Sequence, residues 1–301
     1  MPNNPPGTKP RLAFIGLGRM GFPMAGHLAT AGYPVTVYNR TTDRAREWSR
    51  RFPGEIAATP AEAAQDAAIS LICVSRDHDV SDVVLGVSGV LSRLPQGGIV
   101  VDHSTGSVAL ARELAEAAAA RGCFALDAPV AGGEPAAIAG NLSVMIGGDE
   151  AAVEQCTPVL RSYAKSVTHM GDNGCGQLMK MANQVCVAGV AQGLAEALAL
   201  VSRSQLDPER ALDVLAGGAG RSFWMDYRGR STIERRFEPG FSADLMRKDL
   251  GIVLQQAEAV GLPLPNARIF DAALAALQKM DRGGDDISAV FDVVLAQRMG
   301  K

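Results

Sequence analysis

Lysine is scarce in this 301-residue chain: Lys9, Lys165, Lys180, Lys248, Lys279 and Lys301 stand alone among 29 basic residues, so each can be weighed individually. An excess of either charge is missing too. The 29 basic residues against 32 acidic ones leave a formal net charge of −3, which gives no reason to expect nucleic acid or an anionic membrane as the main partner. The five cysteines (Cys73, Cys123, Cys156, Cys175, Cys186) form no C-x-x-C pair and no metal-ligand spacing. A chain this long can build its core without such staples. Their odd count, behind a polar and proline-rich start rather than a secretory signal, fits a reducing, cytoplasmic setting. Long apolar runs are also wanting. The most apolar one, Val185–Val201, is interrupted by Gln192 and Glu196 and reads as too short and too polar to span a bilayer. A buried helix of a soluble protein is expected there.

What is present is a change of pattern midway. Apolar runs of strand length occur at Arg11–Ile15, Val35–Tyr38, Ile69–Val74, Ile99–Val101, Phe124–Leu126 and Ser143–Ile146. Helical stretches such as Met20–Ala31 and Val108–Arg121 separate several of them, the signature of a mostly parallel sheet covered by helices on both faces. After His169 the strand signals stop. Gly176–Arg203, Pro208–Leu215, Ala243–Val260, Asn266–Met280 and Ile287–Met299 read as helices. Glycines and an Asp-Asn pair crowd Gly171–Gly174, which suggests a boundary. The expected organisation is a disordered tail (1–10), a doubly wound α/β domain of Rossmann type (11–171) and an all-α domain (172–301).

The first strand ends in Gly16-Leu17-Gly18-Arg19-Met20-Gly21, a G-x-G-x-x-G that opens a helix. In this context the pattern is a dinucleotide fingerprint. Gly16 permits the tight turn, Gly18 lets a pyrophosphate approach the backbone, and Gly21 lets helix and strand pack closely. The phosphates then face a helix N-terminus, where free N–H groups favour negative charge. The second strand is followed by Asn39-Arg40-Thr41, with no carboxylate until Asp43. An acid there would accept the ribose 2′-hydroxyl of NAD. A guanidinium at Arg40, with the Thr41 hydroxyl and some attraction from Arg44, suits a 2′-phosphate instead. NADP(H) is the expected cofactor, with NAD(H) possible.

Ligands of open α/β sheets bind beyond the carboxyl ends of the strands. The segments there are Val74-Ser75-Arg76, Asp102-His103-Ser104-Thr105 and Asp127-Ala128-Pro129-Val130-Ala131-Gly132-Gly133. The last can offer backbone N–H groups to a carboxylate, although glycines also serve loops that bind nothing. Lys180, Asn183 and Gln184 share one face near the start of the long helix and can converge on one cleft. A lysine in the first turn would meet the positive end of the dipole, which disfavours its charged form as a proton donor near neutrality requires. Lys248-Asp249 reads on composition alone as a surface pair.

These motifs, taken in order, resemble those of the β-hydroxyacid dehydrogenases, the group containing 3-hydroxyisobutyrate dehydrogenase, tartronate semialdehyde reductase and the glyoxylate/succinic semialdehyde reductases. The resemblance runs from Arg11 to about Met299. It rests on F-I-G-L-G-R-M-G-F-P-M (Phe14–Met24), D-H-S-T (Asp102–Thr105), D-A-P-V-A-G-G (Asp127–Gly133), G-x-G-x-x-x-K-x-x-N-Q (Gly174–Gln184) and K-D-L (Lys248–Leu250). It implies that Lys180 is the proton donor or acceptor, that an amide at Asn183 or Gln184 orients the substrate, and that Gly132-Gly133 holds the substrate carboxylate. It further implies that Thr105 and Val74-Ser75 line the nicotinamide side and that Lys248 reaches the cofactor. Phe223, Trp224 and Tyr227 would help close the pocket. One departure is clear: Ala131 stands where the family usually has serine. The reaction expected is hydride transfer between a small 3-hydroxy acid and its semialdehyde or keto form, by a dimer or tetramer. An imine reductase, or a binding module without catalysis, would typically have lost the lysine.

Overall fold

The computed structural model describes residues 9–297. The expected tail up to residue 8 and the end of the last helix at Met299 lie outside them. The chain divides into two compact units, 1–180 and 181–301.

In the first unit, six strands pair in parallel: β1 (Leu12–Ile15), β2 (Val35–Tyr38), β3 (Glu55–Ile56), β4 (Ile69–Ile72), β5 (Ile99–Asp102) and β6 (Phe124–Asp127). Their order is β3-β2-β1-β4-β5-β6, extended by β8 (Leu142–Gly147) and β7 (Val130–Ala131). β8 runs antiparallel to both β6 and β7, and β9 (Ala164–Gly171) pairs parallel with β8. The order reverses between β1 and β4, the switch point at which such sheets bind ligands. Helices α1 (Gly21–Thr30), α2 (Thr42–Ser49), α3 (Pro60–Ala64), α4 (Asp77–Leu85), α5 (Val108–Ala119), α6 (Gly133–Ile138) and α7 (Glu150–Leu160) complete the unit. Two apolar clusters, one around Phe14, Trp48 and Tyr163, the other around Ile15, Ile72 and Leu114, form its core. Residues β1 Leu12–Ile15 and β4 Ile69–Ile72 are buried throughout, which is why those strands read as continuous apolar runs.

Three strands escaped the sequence reading. β3 has two exposed residues, β7 has two residues in all, and β9 is largely half-exposed, so none carries an apolar run.

The second unit is helical: the greater part of α8 (Cys175–Ser202), then α9 (Pro208–Ala216), α10 (Phe223–Ile233), α11 (Ala243–Ala259), α12 (Pro265–Lys279) and α13 (Val290–Ala296). Its core gathers Leu198, Met246, Phe270, Leu274 and Phe291. α10 was not expected. The residues it buries are Met225, Arg228, Gly229 and Thr232, so its inner face shows no apolar stripe.

Two expectations for α8 fail. It has 28 residues and is, by length and composition alone, long and apolar enough to cross a membrane. Only 39% of its most apolar stretch is buried by the chain itself, rather than nearly all of it. By packing, the two units meet inside this helix, at Lys180/Met181, a few residues beyond the glycine-rich turn. The reason is that its first turns are bonded to the sheet, as described next.

Candidate active site

The carboxyl ends of β1, β4, β5 and β6 carry the candidate residues of the first unit. After β1 the chain turns at Gly16 with φ +98°, and a Cβ there would lie 2.3 Å from the Cys73 carbonyl oxygen. A Cβ on Gly21 would lie 2.0 Å from the Gly16 carbonyl oxygen, so α1 packs against the turn only because that position is bare. Gly18 is different: nothing lies within 4 Å of where its Cβ would be. The N-terminus of α1, preceded by Arg19 and Met20, has no side-chain cap and no acid in its first turn. An open backbone before an uncapped ten-residue helix fits a pyrophosphate, so these residues fit NAD(P).

Leu17 N–H donates to Asn39 Oδ1 (2.8 Å), and Asn39 Nδ2 donates to the Thr41 carbonyl (3.0 Å), which ties the end of β2 to the phosphate turn. Arg44 does not act at long range as expected. Its Nε donates to the Leu17 carbonyl (3.0 Å) and its guanidinium lies 4.1 Å from the Phe22 ring centre, so it braces the turn. Arg40 is 88% exposed and pairs with Asp79 of α4 at 3.2 Å. Arg19 pairs with Glu134 at 3.4 Å.

Beyond β4 and β5, Val74 is half-buried, Ser75 exposed and Thr105 half-buried. Val74 N–H donates to Ser104 Oγ (3.0 Å), and Ser104 N–H to Asp102 Oδ1 (2.9 Å). Burial pushes the Asp102 carboxyl up to about 7 against the pull of its bonds from Ser104, with Asp127 and Asp77 adding to the rise. His103 is buried, its Nδ1 2.6 Å from the Ala128 carbonyl and its Nε2 2.8 Å from the Tyr163 hydroxyl. A carbonyl only accepts, so Nδ1 carries the proton and Nε2 accepts from Tyr163. Burial lowers this imidazole to about 4, and it stays neutral. Neither His103 nor Tyr163 was anticipated as a brace for this loop.

After β6, Gly132 (φ +125°) and Gly133 (φ +68°) turn the chain, exposed to solvent beside half-buried Ala131. Both take backbone conformations that side chains disfavour, so this loop needs glycine whatever it binds. Asp127 accepts from the N–H groups of Gly174 (2.7 Å) and Gln177 (2.9 Å) and so caps α8. Its carboxyl is pushed up by burial, against the pull of those amides. A Cβ on Gly176 would lie 2.6 Å from both the Asp127 and Met145 carbonyl oxygens, so the helix starts pressed onto the sheet.

Lys180 is the sixth residue of α8, in its second turn rather than its first. The dipole argument weakens accordingly, because that effect fades beyond the terminal turn. What holds this lysine is burial, at 9% exposure, and a 2.9 Å bond from Nζ to the Val130 carbonyl.

In the helical unit, Gln184 is buried and its Nε2 donates to Asp249 Oδ2 (2.7 Å), with Met246 Sδ at 3.7 Å. Asn183 is half-buried, with no hydrogen bond to its amide among the described residues. Lys248 Nζ lies 2.6 Å from Asp249 Oδ1. Lys248-Asp249 is therefore no surface pair: Asp249 is buried and joins Gln184 to Lys248. Tyr227 stacks on Phe223 at 6.0 Å and meets Trp224 edge-on at 6.2 Å.

A mostly parallel sheet that reverses order, with a glycine turn aimed at its switch point, defines a dinucleotide-binding protein. The comparisons narrow it. Residues 11–171 match the family described as the NAD binding domain of 6-phosphogluconate dehydrogenase, and 174–294 the one described as NAD-binding of NADP-dependent 3-hydroxyisobutyrate dehydrogenase. An uncharacterised oxidoreductase of Shewanella frigidimarina is 43% identical over 93% of this chain and 97% of its own. The 2-hydroxy-3-oxopropionate reductase of Escherichia coli is 38% identical over 85% and 87%. The crystal structure of a Salmonella typhimurium 3-hydroxyisobutyrate dehydrogenase superposes with a TM-score of 0.86 at 30% identity, covering 94% of this chain and 99% of that one. The chain belongs to the β-hydroxyacid dehydrogenase family and is an NAD(P)-dependent oxidoreductase acting on CH–OH groups.

Proposed function

We propose that this enzyme interconverts a small 3-hydroxy acid and its semialdehyde or keto form, prefers NADP(H), and uses Lys180 to move the proton at the reacting oxygen. One observation carries the reading. The ammonium of Lys180 is buried and donates to the Val130 carbonyl, one residue before Ala131-Gly132-Gly133. A buried charge is costly unless bonded, and this bond fixes it beside the loop that family resemblance assigns to the substrate carboxylate.

The bound nicotinamide supplies the hydride in reduction and accepts it in oxidation. Lys180 gives its proton to the oxygen as negative charge develops there, and takes it back in the reverse direction. The N–H groups of Gly132 and Gly133 hold the carboxylate, with Ala131 contributing no hydroxyl. Val74, Ser75 and Thr105 line the nicotinamide side, while Leu17–Met20 and the Asn39-Arg40-Thr41 turn hold the phosphates and adenosine end. Within the helical unit, family resemblance assigns Gln184, Lys248 and the Trp224–Tyr227 aromatics to substrate and cofactor. The absent acid at the end of β2 and the exposed Arg40 guanidinium support NADP(H) over NAD(H). NADPH pools favour reduction, so a semialdehyde is the favoured substrate.

The five free cysteines support a reducing, cytoplasmic setting. The uncovered apolar surface of α8 supports self-association as a dimer or tetramer.

A panel of short hydroxy acids and semialdehydes, each with NADPH and NADH, tests the reading against Lys180→Ala. Turnover should fall in that variant by roughly 10²–10⁴-fold, the range for a positioned proton donor. NADPH binding should survive. Parental turnover in Lys180→Ala would mean the lysine only bridges to Val130.

A further inference from the structure

Gln177 lies in the first turn of α8, one turn before Lys180, at 2% exposure. A buried primary amide needs partners at its nitrogen and at its oxygen, and here both ends go to backbone of a single loop. Nε2 donates to the Ser104 carbonyl (2.8 Å), and Oε1 accepts from the Gly106 N–H (3.1 Å). These two groups flank Thr105. In a parallel ladder, a residue's N–H bonds the carbonyl before its partner and its C=O accepts from the N–H after it. The Gln177 side chain reproduces that pattern. It is a one-residue strand partner for Thr105, placed just beyond the last paired residue of β5, Asp102.

Both sides of this clamp are fixed. Ser104 bonds Asp102 and Val74, so the loops after β4 and β5 are tied together. The Gln177 N–H is held by Asp127 at the end of β6 (2.9 Å). Three residues on, along the same helix face, Lys180 bonds Val130. One side chain therefore sets the register between Thr105 and the helical turn that carries Lys180.

We propose that Gln177 is a positioning residue, holding the nicotinamide-side loop in register with Lys180, so that its loss impairs hydride transfer far more than cofactor binding. The proposal rests on the assignment of Thr105 and Lys180 made above. Only glutamine meets the demand. Asparagine is one methylene too short, glutamate turns the donor at Ser104 into a repelling oxygen, and methionine fills the space with neither bond.

The test compares Gln177→Met, Gln177→Glu and Gln177→Asn with the parent. In the ligand-free protein, amide hydrogen exchange at Gly106 should accelerate in Gln177→Met and Gln177→Asn, which reads the clamp without any turnover, while Gln177→Glu keeps an acceptor for Gly106 and removes only the donor to Ser104. Dissociation constants for NADPH should stay within about threefold, because the phosphate turn is untouched. The kcat should fall by up to about 10²-fold, the scale set by ångström-level misplacement, with a larger primary isotope effect from 4-deuterated NADPH. Unchanged Gly106 exchange in Gln177→Met overturns the clamp, even if no substrate on the panel turns over. Accelerated exchange with parental kcat and isotope effect overturns the positioning role and leaves the bond merely structural. A parent enzyme inert on the whole panel sinks the reaction assigned above, while the exchange result still decides the clamp.

Discussion

Lys180, Ala131 and the Asp102-His103 pair show three ways in which single side chains bear on this chemistry. The lysine is set by burial and by its bond to Val130, with the helix dipole playing a lesser part. In the loop proposed to hold the carboxylate, Ala131 offers no hydroxyl, and one hydrogen bond to a charged group is worth roughly 1.5–3 kcal/mol. Ala131→Ser should therefore lower KM for the smallest carboxylate substrates with little change in kcat. A KM that worsens for every acid would point to another anchor. Asp102 and His103 carry opposite pH dependences. The Asp102 carboxyl rises to about 7 in the fold, chiefly through burial, from an ordinary value of 3.8. Its contribution to stability is complete below about 3.8 and is lost as pH rises through 7. His103, lowered by burial to about 4, works in reverse: its contribution is present above 6.5 and is lost as pH falls through 4. Asp102→Asn keeps the acceptor for Ser104 N–H and removes only the first effect. The Tm of this variant should gain on the parent between pH 5 and 8, whereas parallel curves would show that Asp102 ionises at no cost.

At the scale of elements, the proposed recognition falls on the turns after the strands. The turn after β2 is held to the phosphate turn through Asn39 and braced by Arg44, which leaves Arg40 extended into solvent with Asp79 as its partner. A 2′-phosphate would take over that guanidinium, and no acid at the end of β2 invites a bare ribose. Arg40→Asp should weaken NADPH by at least tenfold and spare or improve NADH, since charge reversal there costs more than the loss of one charge-assisted bond. Equal affinity of the parent for both cofactors, measured by fluorescence titration, would remove the basis for an NADP(H) preference.

At the scale of the whole molecule, α8 is the feature that one chain does not satisfy. Leu200 is 74% exposed, and Val190, Leu178 and Met179 are also exposed along the same helix. Apolar surface of this extent on one element is ordinarily covered in solution. Light scattering at micromolar concentration should give a dimer or tetramer, and a monomer would show that α8 tolerates water. Charged substitution at Leu200 and Val190 together should shift the protein towards smaller species.

The sequence determined the parallel sheet, the dinucleotide turn and the family, because each depends on local pattern. Strands buried on both faces read as apolar runs, and G-x-G-x-x-G has meaning only at its own spacing. It also brought forward Lys180, one of just six lysines. The tertiary structure decided what depends on partners distant in the chain. Only folding shows that Gln184, rather than Asn183, is bonded to Asp249, 65 residues away. Asp249 itself looked like a surface acid because nothing local reveals burial on a helix rich in charge. α10 was illegible because beside Met225 it buries Arg228, Gly229 and Thr232, and the arginine is held inside by an ion pair with Asp286 rather than by apolar periodicity. Gln177 was illegible for the same reason. Its meaning lies in two backbone groups 73 and 71 residues earlier, and a side chain's hydrogen-bond partners are a property of the fold, not of spacing.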